Sequence, residues 1–533
     1  MINSIFIASI VIILSIISGK FSKKIGIPSL LLFLGLGLFF GSDGIIRLPF
    51  DNYEIVKTTC SIALIFIIFY GGFGTRWETA KPVALQAILI STIGVFITTV
   101  TIGLFSHFIL KINLMESFLL GAVISSTDAA SVFSILKSKK LNLKYQTAPI
   151  LEVESGSNDP TAYMLTIIIL ELMNGYNNYL TFIWMIIAQF LIAIITGFLI
   201  AKITLYIYNN FDLKSNGLEI IYFFGMILLS FSLPEMLNGN GYLSTYIFGI
   251  MVGNNFLKNK TVLINFFDGL TGLMQITIFF LLGLLAFPSQ LPSIALIAFA
   301  ITIFLTFIAR PLAIYIILKP FGSSLNQIAL ISFSGIRGAS SIVFAIVAMV
   351  NPAYLKNDIF HIVLCIVLIS IAFQGSLLPY VAKKLKMIDE NDDVLKTFTD
   401  YQDEKEIQLI RLRINGDHPW KSLRIMDLEL PPQLLIVTII RDDNAIVPSG
   451  NSLVLERDII IIAAPGYQGY IHIEVNEFSV NKKHEWINKP IYAIKIPPKK
   501  LIAIIKRGNQ VIVPNGDTII KLDDILVLVS KYQ

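Results

Sequence analysis

The densest run of groups able to do chemistry is Leu151-Glu152-Val153-Glu154-Ser155-Gly156-Ser157-Asn158-Asp159-Pro160-Thr161, set inside an apolar stretch. On a helix, at about 100° per residue, Glu154 and Asn158 fall within about 40° of each other. Ser155 and Asp159 lie one position around, so one polar face covers about 140°. Pro160 has no N–H for the carbonyl of Gly156, which leaves that oxygen for another partner. Carboxylate, hydroxyl and freed carbonyl are hard oxygen donors. They suit an alkali cation, and Asp159 can instead take a proton. Charged groups at membrane depth are costly and mark ion pathways by default.

Two further stretches carry polar groups inside apolar runs. Ile124-Ser125-Ser126-Thr127-Asp128-Ala129-Ala130-Ser131 favours local unwinding, and Asp128 suits the cap of the half-helix that follows. Ser334-Gly335-Ile336-Arg337-Gly338-Ala339-Ser340-Ser341 places an arginine in mid-span. Arg337 needs an acid at depth, either Glu154 or Asp128. Arg310-Pro311 reads as a helix boundary or kink, and Asp268 as a helix end. His107 and His361 read as packed or interfacial.

The elements that position these groups are membrane spans. Of 533 residues, 55% are hydrophobic and 14% charged, and the mean hydropathy is +0.74. That excludes a soluble enzyme, a disordered chain and a fibre. Cys60 and Cys365, the two cysteines, lie in apolar runs, which leaves no disulfide framework or Cys/His zinc site. A span needs about 20 apolar residues. Thirteen candidates lie near 2–19, 28–46, 55–71, 82–109, 114–136, 146–172, 180–207, 217–234, 241–256, 262–286, 292–318, 325–350 and 358–382. Lys20, Lys81, Lys140, Lys144, Lys202, Lys214, Lys258, Lys319 and Lys384 fall on one side of this pattern; Arg47, Lys57, Lys111 and Lys356 fall on the other. The positive-inside rule puts the first set in the cytoplasm, the N-terminus outside and the tail inside. The interrupted spans are the fifth and the twelfth. With the seventh as linker, each half has six spans and its broken helix fifth, which is the inverted-repeat plan of secondary transporters.

From Asp389 onward the chain is polar, with 18 basic and 21 acidic residues, a balance unlike that of a nucleic-acid binder. It repeats at an offset of 66 residues. His418 and Trp420 recur as His484 and Trp486; Pro431-Pro432 as Pro497-Pro498; Arg441 as Arg507; Val447-Pro448 and Gly450 as Val513-Pro514 and Gly516; Asp458 as Asp524. The expected modules are 389–470 and 471–533. Two like modules can pack about a pseudo-two-fold axis and hold a symmetric ligand, or serve as a structural cap.

The Pro-Pro pair, the Val-Pro-x-Gly turn and the Asp before the last strand resemble the C-terminal RCK (TrkA-C) subdomain of potassium-transport regulators. That resemblance implies pairing and a small regulatory ligand, a nucleotide such as cyclic di-AMP in some members. No Gly-x-Gly-x-x-Gly follows a strand, so an NAD-type site is not expected.

Ser126-Thr127-Asp128-Ala129-Ala130, Glu154 to Pro160 and Gly335-Ile336-Arg337-Gly338-Ala339 resemble the first family of cation:proton antiporters, NhaP type, and within it the bacterial potassium/proton antiporters with a TrkA-C-like tail. The resemblance covers roughly residues 1–390. It implies a homodimer in the bacterial cytoplasmic membrane, a core moving against a dimerisation domain, and electroneutral exchange of K+ or Na+ for H+. Asp159 carries over as the shared cation/proton carboxylate and Asn158 as its neutral neighbour. Ser155 and Thr127 carry over as cation ligands, Asp128 as the residue at the crossing of unwound helices, and Glu154 with Arg337 as a buried pair. One departure is Tyr70, where relatives commonly place an acid before Gly71-Gly72.

The expected fold is thus an all-α polytopic membrane protein of about 13 helices with inverted repeats, residues 1–388, plus a cytoplasmic α+β tail of two similar modules. No enzyme activity, resident cofactor or nucleic-acid partner is expected. A ligand-gated channel, which would need a continuous polar pore, and a membrane-anchored sensor are the competing classes.

Overall fold

The computed structural model describes the chain apart from residues 1, 26–28, 140, 176–178, 212–216, 258, 354, 390–406, 417, 432–433, 442–443, 466–472, 481–483, 495–499, 508–509, 513 and 532–533. Lys140, Lys214, Lys258, Pro432, Pro497-Pro498, Val513 and the 470/471 boundary therefore lie outside the described residues. The chain forms two compact units, Met1–Gln402 and Asp403–Gln533.

The first unit is helical. It runs through α1 (Ile2–Ile25), α2 (Ser29–Phe40), α3 (Tyr53–Gly74), α4 (Trp77–Phe108), α5 (Leu114–Val123), α6 (Ala129–Ser138), α7 (Thr147–Met173), α8 (Tyr179–Asn210), α9 (Leu218–Met236), α10 (Gly241–Gly253), α11 (Lys260–Leu285), α12 (Pro288–Phe321), α13 (Leu325–Phe333), α14 (Ala339–Val350) and α15 (Ile359–Lys384). Among the described residues, seven helices are long and apolar enough to cross a membrane: α3, α4, α9, α11, α12, α15 and the Trp184–Asn210 part of α8. Shorter apolar helices include α2, α5, α10 and α14. A two-residue ladder joins β1 (Asn142–Leu143) to β2 (Ile388–Asp389), so the chain stays with the helical unit past residue 388.

Two interruptions shape the centre of this unit. Residues 124–128 separate α5 from α6, and residues 334–338 separate α13 from α14. Hydroxyl and carboxylate side chains there compete with the helical ladder for backbone groups. Asp128 caps α6, accepting from the Ser131 N–H at 3.2 Å and the Ser131 hydroxyl at 2.5 Å. The two breaks touch: the Asp128 N–H donates to the Ile336 carbonyl at 2.8 Å. A Cβ on Gly338 would lie 2.5 Å from that of Asp128, so only glycine permits the approach. Among the described residues, three wide, π-type turns interrupt other helices, at Ile90–Gly94, Leu305–Ala309 and Ser370–Gln374. Such turns often sit at functional sites, and the last two border the crossing described below.

The second unit holds two four-stranded antiparallel sheets. One is ordered β3 (Ile407–Arg413), β6 (Ile459–Pro465), β4 (Leu435–Arg441), β5 (Asn444–Ile446). The other is ordered β7 (Ile473–Ser479), β10 (Ile525–Lys531), β8 (Lys500–Arg507), β9 (Gln510–Ile512). Their cores correspond at the 66-residue offset: Ile414, Ile436, Ile439, Val454 and Ile460 in one, Val480, Ile502, Ile505, Ile520 and Leu526 in the other. Each sheet also buries one aspartate on one arginine. Arg441 grips Asp458 through Nε and Nη2 at 2.8 Å each, and Arg507 grips Asp524 at 2.7 and 2.8 Å. Burial pushes each carboxyl up. The arginine and a backbone N–H, from Leu455 or Lys521, outweigh it and hold both below the usual carboxylate range.

Candidate ion-exchange site

α7 presents the site. It runs unbroken through Pro160, whose carbonyl accepts from Asn240 Nδ2 at 2.7 Å. Most of its surface is buried, but Glu152, Ser155, Gly156, Asp159 and Tyr163 form a half-buried stripe along one face. That stripe faces α10. A Cβ on Gly156 would strike the Tyr246 ring at 2.5 Å, and the Tyr163 ring meets Tyr242 edge-on at 4.8 Å. Asp159 thus sits between two aromatic contacts.

The first helix break wraps round this carboxylate. Ser126 hydrogen-bonds Asp159 Oδ1 and also lies 2.6 Å from the Ser340 hydroxyl at the start of α14. Ser155 donates to the Thr127 carbonyl at 2.8 Å. Asn158 is fully buried and uses both ends of its amide on Thr127: Nδ2 donates to Oγ1 at 2.5 Å, and Oδ1 accepts from the N–H at 3.4 Å. Asp159, Asn158, Ser155, Thr127 and Asp128 are therefore one connected cluster. The donor set around Asp159 is carboxylate, hydroxyl and carbonyl oxygen, which fits an alkali cation or a proton. Nitrogen or sulfur ligands are not part of it.

The arginines correct one expectation. Glu154 does not pair with Arg337; its Oε1 is bound by Arg310 Nη2, and both side chains are almost fully buried. Arg337 instead spends Nη1 on the carbonyls of Ser125 and Ser126, 2.8 Å each, and its own N–H donates to Ser370 at 3.1 Å. The reason is the break itself. Residues 124–128 leave helix-end carbonyls without helical donors, and the guanidinium answers them. Arg310 is likewise not merely a kink residue. It follows the wide turn of α12 inside a continuous helical stretch, 2% exposed, and packs on Gly335, where a Cβ would stand 2.8 Å from its Nε.

Sequence reasoning thus missed Arg310, Ser126, Ser340 and Ser370 as participants. The signal for Arg310 was present, because an arginine within an apolar stretch of this length requires a polar partner at depth. Pro311 disguised it as a boundary. Of the remaining expectations, Asp268 lies within α11 rather than at its end, and its Oδ1 accepts from the Tyr70 hydroxyl at 3.0 Å.

Residues 7–384 match the family described as sodium/hydrogen exchanger, transmembrane, and residues 475–531 match the TrkA-C domain. The chain is 31% identical over 471 residues to the K(+)/H(+) antiporter NhaP of Alkalimonas amylolytica, covering 86% of this chain and 80% of that protein. It is 31% identical over 468 residues to the K(+)/H(+) antiporter NhaP2 of Shewanella baltica, covering 86% and 81%. In fold it is similar to the solved sodium proton antiporter MjNhaP1 of Methanocaldococcus jannaschii, with a TM-score of 0.63 at 24% identity over 72% of this chain and 99% of that one. An apolar helical unit with a carboxylate cluster at crossed helix breaks, matched by this family over most of its length, is a multi-pass membrane cation/proton antiporter: the chain belongs to the sodium/hydrogen exchangers.

Proposed function

We propose that the protein exchanges one monovalent cation for one proton at Asp159, with potassium leaving the cytoplasm as protons enter. The observation that carries this reading is the half-buried Asp159 carboxylate bonded to Ser126 of the first break, its neighbour Asn158 neutral and fully tied to Thr127, while Asp128 is engaged as the cap of α6. Asp159 holds either a proton or a cation. When the cation arrives, one proton must leave, and the carrier changes face only when loaded. One charge replaces one charge, so exchange is electroneutral. Glu154 is committed to its buried ion pair with Arg310. Ser155, Thr127 and Ser126 offer oxygen ligands beside the carboxylate, and Asp128 and Arg337 hold the two breaks together at the crossing. Potassium is favoured over sodium because the relatives at 31% identity are K(+)/H(+) antiporters.

The same reading takes the chain as thirteen spans with inverted repeats, working as a homodimer by alternating access in the bacterial inner membrane. The N-terminus is outside and the tail cytoplasmic. Support comes from the long helices, the shorter apolar ones and the carboxylate-bearing α7 falling on the thirteen expected stretches. The tail is regulatory, with both sheets taken as TrkA-C-like modules and a small ligand such as cyclic di-AMP between them. Reconstitution in liposomes with an internal pH dye tests the core claim. Potassium should drive proton movement in the wild type, and Asp159→Asn should abolish it while leaving a folded protein. Substantial exchange by Asp159→Asn would refute the assignment, and movement driven by sodium alone would replace potassium with sodium.

A further inference from the structure

Glu152 carries a charge that nothing above uses. It lies on α7 inside the apolar unit, half-buried, and it has no ion pair or hydrogen bond among the described residues. Seven residues separate it from Asp159, which at about 100° per residue puts the two within about 20° on the same face. They stand about 10 Å apart along the helix axis. Ser155 and Gly156 fill the stripe between them. At that level Tyr246 of α10 packs onto Gly156, where an added Cβ would meet Cε2 at 2.5 Å and Oη at 2.8 Å. Tyr246 is 3% exposed. Its hydroxyl, beside Thr75 and within electrostatic reach of Glu152, makes no hydrogen bond of ordinary geometry among the described residues.

This is an asymmetric arrangement. On the other side of Asp159, Glu235 lies within electrostatic reach of Tyr163 and Tyr242, and it is already bonded to the Gly241 N–H at 2.9 Å. Glu152 lies toward the Lys144 end of α7, the end that carries the basic loops. Among the described residues, a buried hydroxyl with no well-formed hydrogen bond and a half-buried carboxylate without a counter-charge face one stripe, and both are costly unless something binds them.

We infer that Glu152 and the Tyr246 hydroxyl form an access site for a monovalent cation on the cytoplasmic side of Asp159, with the Tyr246 ring as the partition between the two sites. A cation desolvates first against Glu152, then passes the ring to reach Asp159. Because Glu152 is not the exchange carboxylate, it sets how readily the cytoplasmic cation is captured and leaves the stoichiometry alone. The inference rests on the proposed exchange at Asp159.

The test compares full-length wild type, Glu152→Gln, Glu152→Asp and Tyr246→Phe in inverted and right-side-out vesicles, with potassium chloride titrated on the outer face of each. In inverted vesicles, where potassium meets the cytoplasmic face, Glu152→Gln should raise the half-saturating concentration about tenfold, a change of about 1.4 kcal/mol. The maximal rate should stay within about twofold, since the chemistry at Asp159 is untouched. Glu152→Asp should recover most of the affinity, and Tyr246→Phe should show a smaller shift of the same kind. Right-side-out vesicles should show no shift for any variant. Unchanged half-saturation on the cytoplasmic face, or an equal fall in maximal rate from both faces, would overturn the access site while leaving exchange at Asp159 standing. Absence of potassium-driven exchange in the wild type would overturn the exchange reading, and this inference with it.

Discussion

Replacing Glu154 by glutamine while leaving Arg310 in place strands a guanidinium that is almost fully buried. Breaking one partner of such a pair typically costs about 3–5 kcal/mol. Here the two single substitutions should differ. Arg337 lies within electrostatic reach of both Arg310 and Glu154, so Glu154→Gln leaves two cations without a carboxylate and belongs at the upper end, about 5 kcal/mol. Arg310→Met leaves Glu154 facing Arg337 and belongs at the lower end, about 3 kcal/mol. The double variant should be milder than the sum by about 2 kcal/mol or more, a factor near thirty in the unfolding equilibrium. The assay is unfolding in mixed micelles titrated with a denaturing detergent, read by fluorescence of the 4 tryptophans. A parallel cycle on Glu154 and Arg337 serves as the comparison and should show the smaller coupling, because Arg337 spends its Nη1 on the Ser125 and Ser126 carbonyls. Strict additivity for Glu154 with Arg310, or a larger coupling with Arg337, would refute the assignment of partners.

Three other outcomes are expected. Exchange should be indifferent to an imposed membrane potential, since Asp159 is the proposed proton carrier, with Asn158 neutral, Glu154 paired with Arg310 and Asp128 capping α6 at Ser131; a clear dependence under valinomycin clamp, measured with sodium-driven exchange, would mean a second proton is carried. Gly338→Ala should force the two helix breaks apart at Asp128, costing about 1–3 kcal/mol and most of the transport rate; normal vesicle exchange by this variant would count against the crossing. In the tail, Asp458 and Asp524 have native carboxyls held below their unfolded value. Their contribution is therefore present above the unfolded value, near pH 4, and lost as pH falls through the lower native value. Asp524→Asn should lower the tail's melting temperature at neutral pH yet lose less on acidification, and melts with identical acid slopes would contradict the ion-pair account.

Much of this was legible in the residues because it follows from local chemistry. A chain this apolar must lie in a membrane, and polar, small-residue stretches inside apolar runs weaken the helical ladder, so the breaks at 124–128 and 334–338 were readable, although α7 stays continuous through a similar stretch. Asp159 stood out among the acids by its place in an apolar run beside Pro160 and Asn158, which is the basis of the proposed assignment. At the 66-residue offset read from the sequence, the two sheets bury matching positions, including Asp458 and Asp524, each held by an arginine.

Pairing across the bundle was not legible. Sequence identifies Glu154, Arg310 and Arg337 as charges that each require an answer at depth. It does not say which guanidinium reaches which oxygen, because that depends on how α7, α12 and the two breaks pack across more than 150 residues of chain. The Glu154–Arg337 expectation failed because a charge can be answered by carbonyls as well as by a carboxylate, and only the crossing creates those free carbonyls. The Tyr246 contact on Gly156 is of the same kind. The glycine is visible in the sequence, but what occupies the space it leaves is decided by the neighbouring helix. Local composition therefore determined which groups need partners, and tertiary packing alone decided which partners they have.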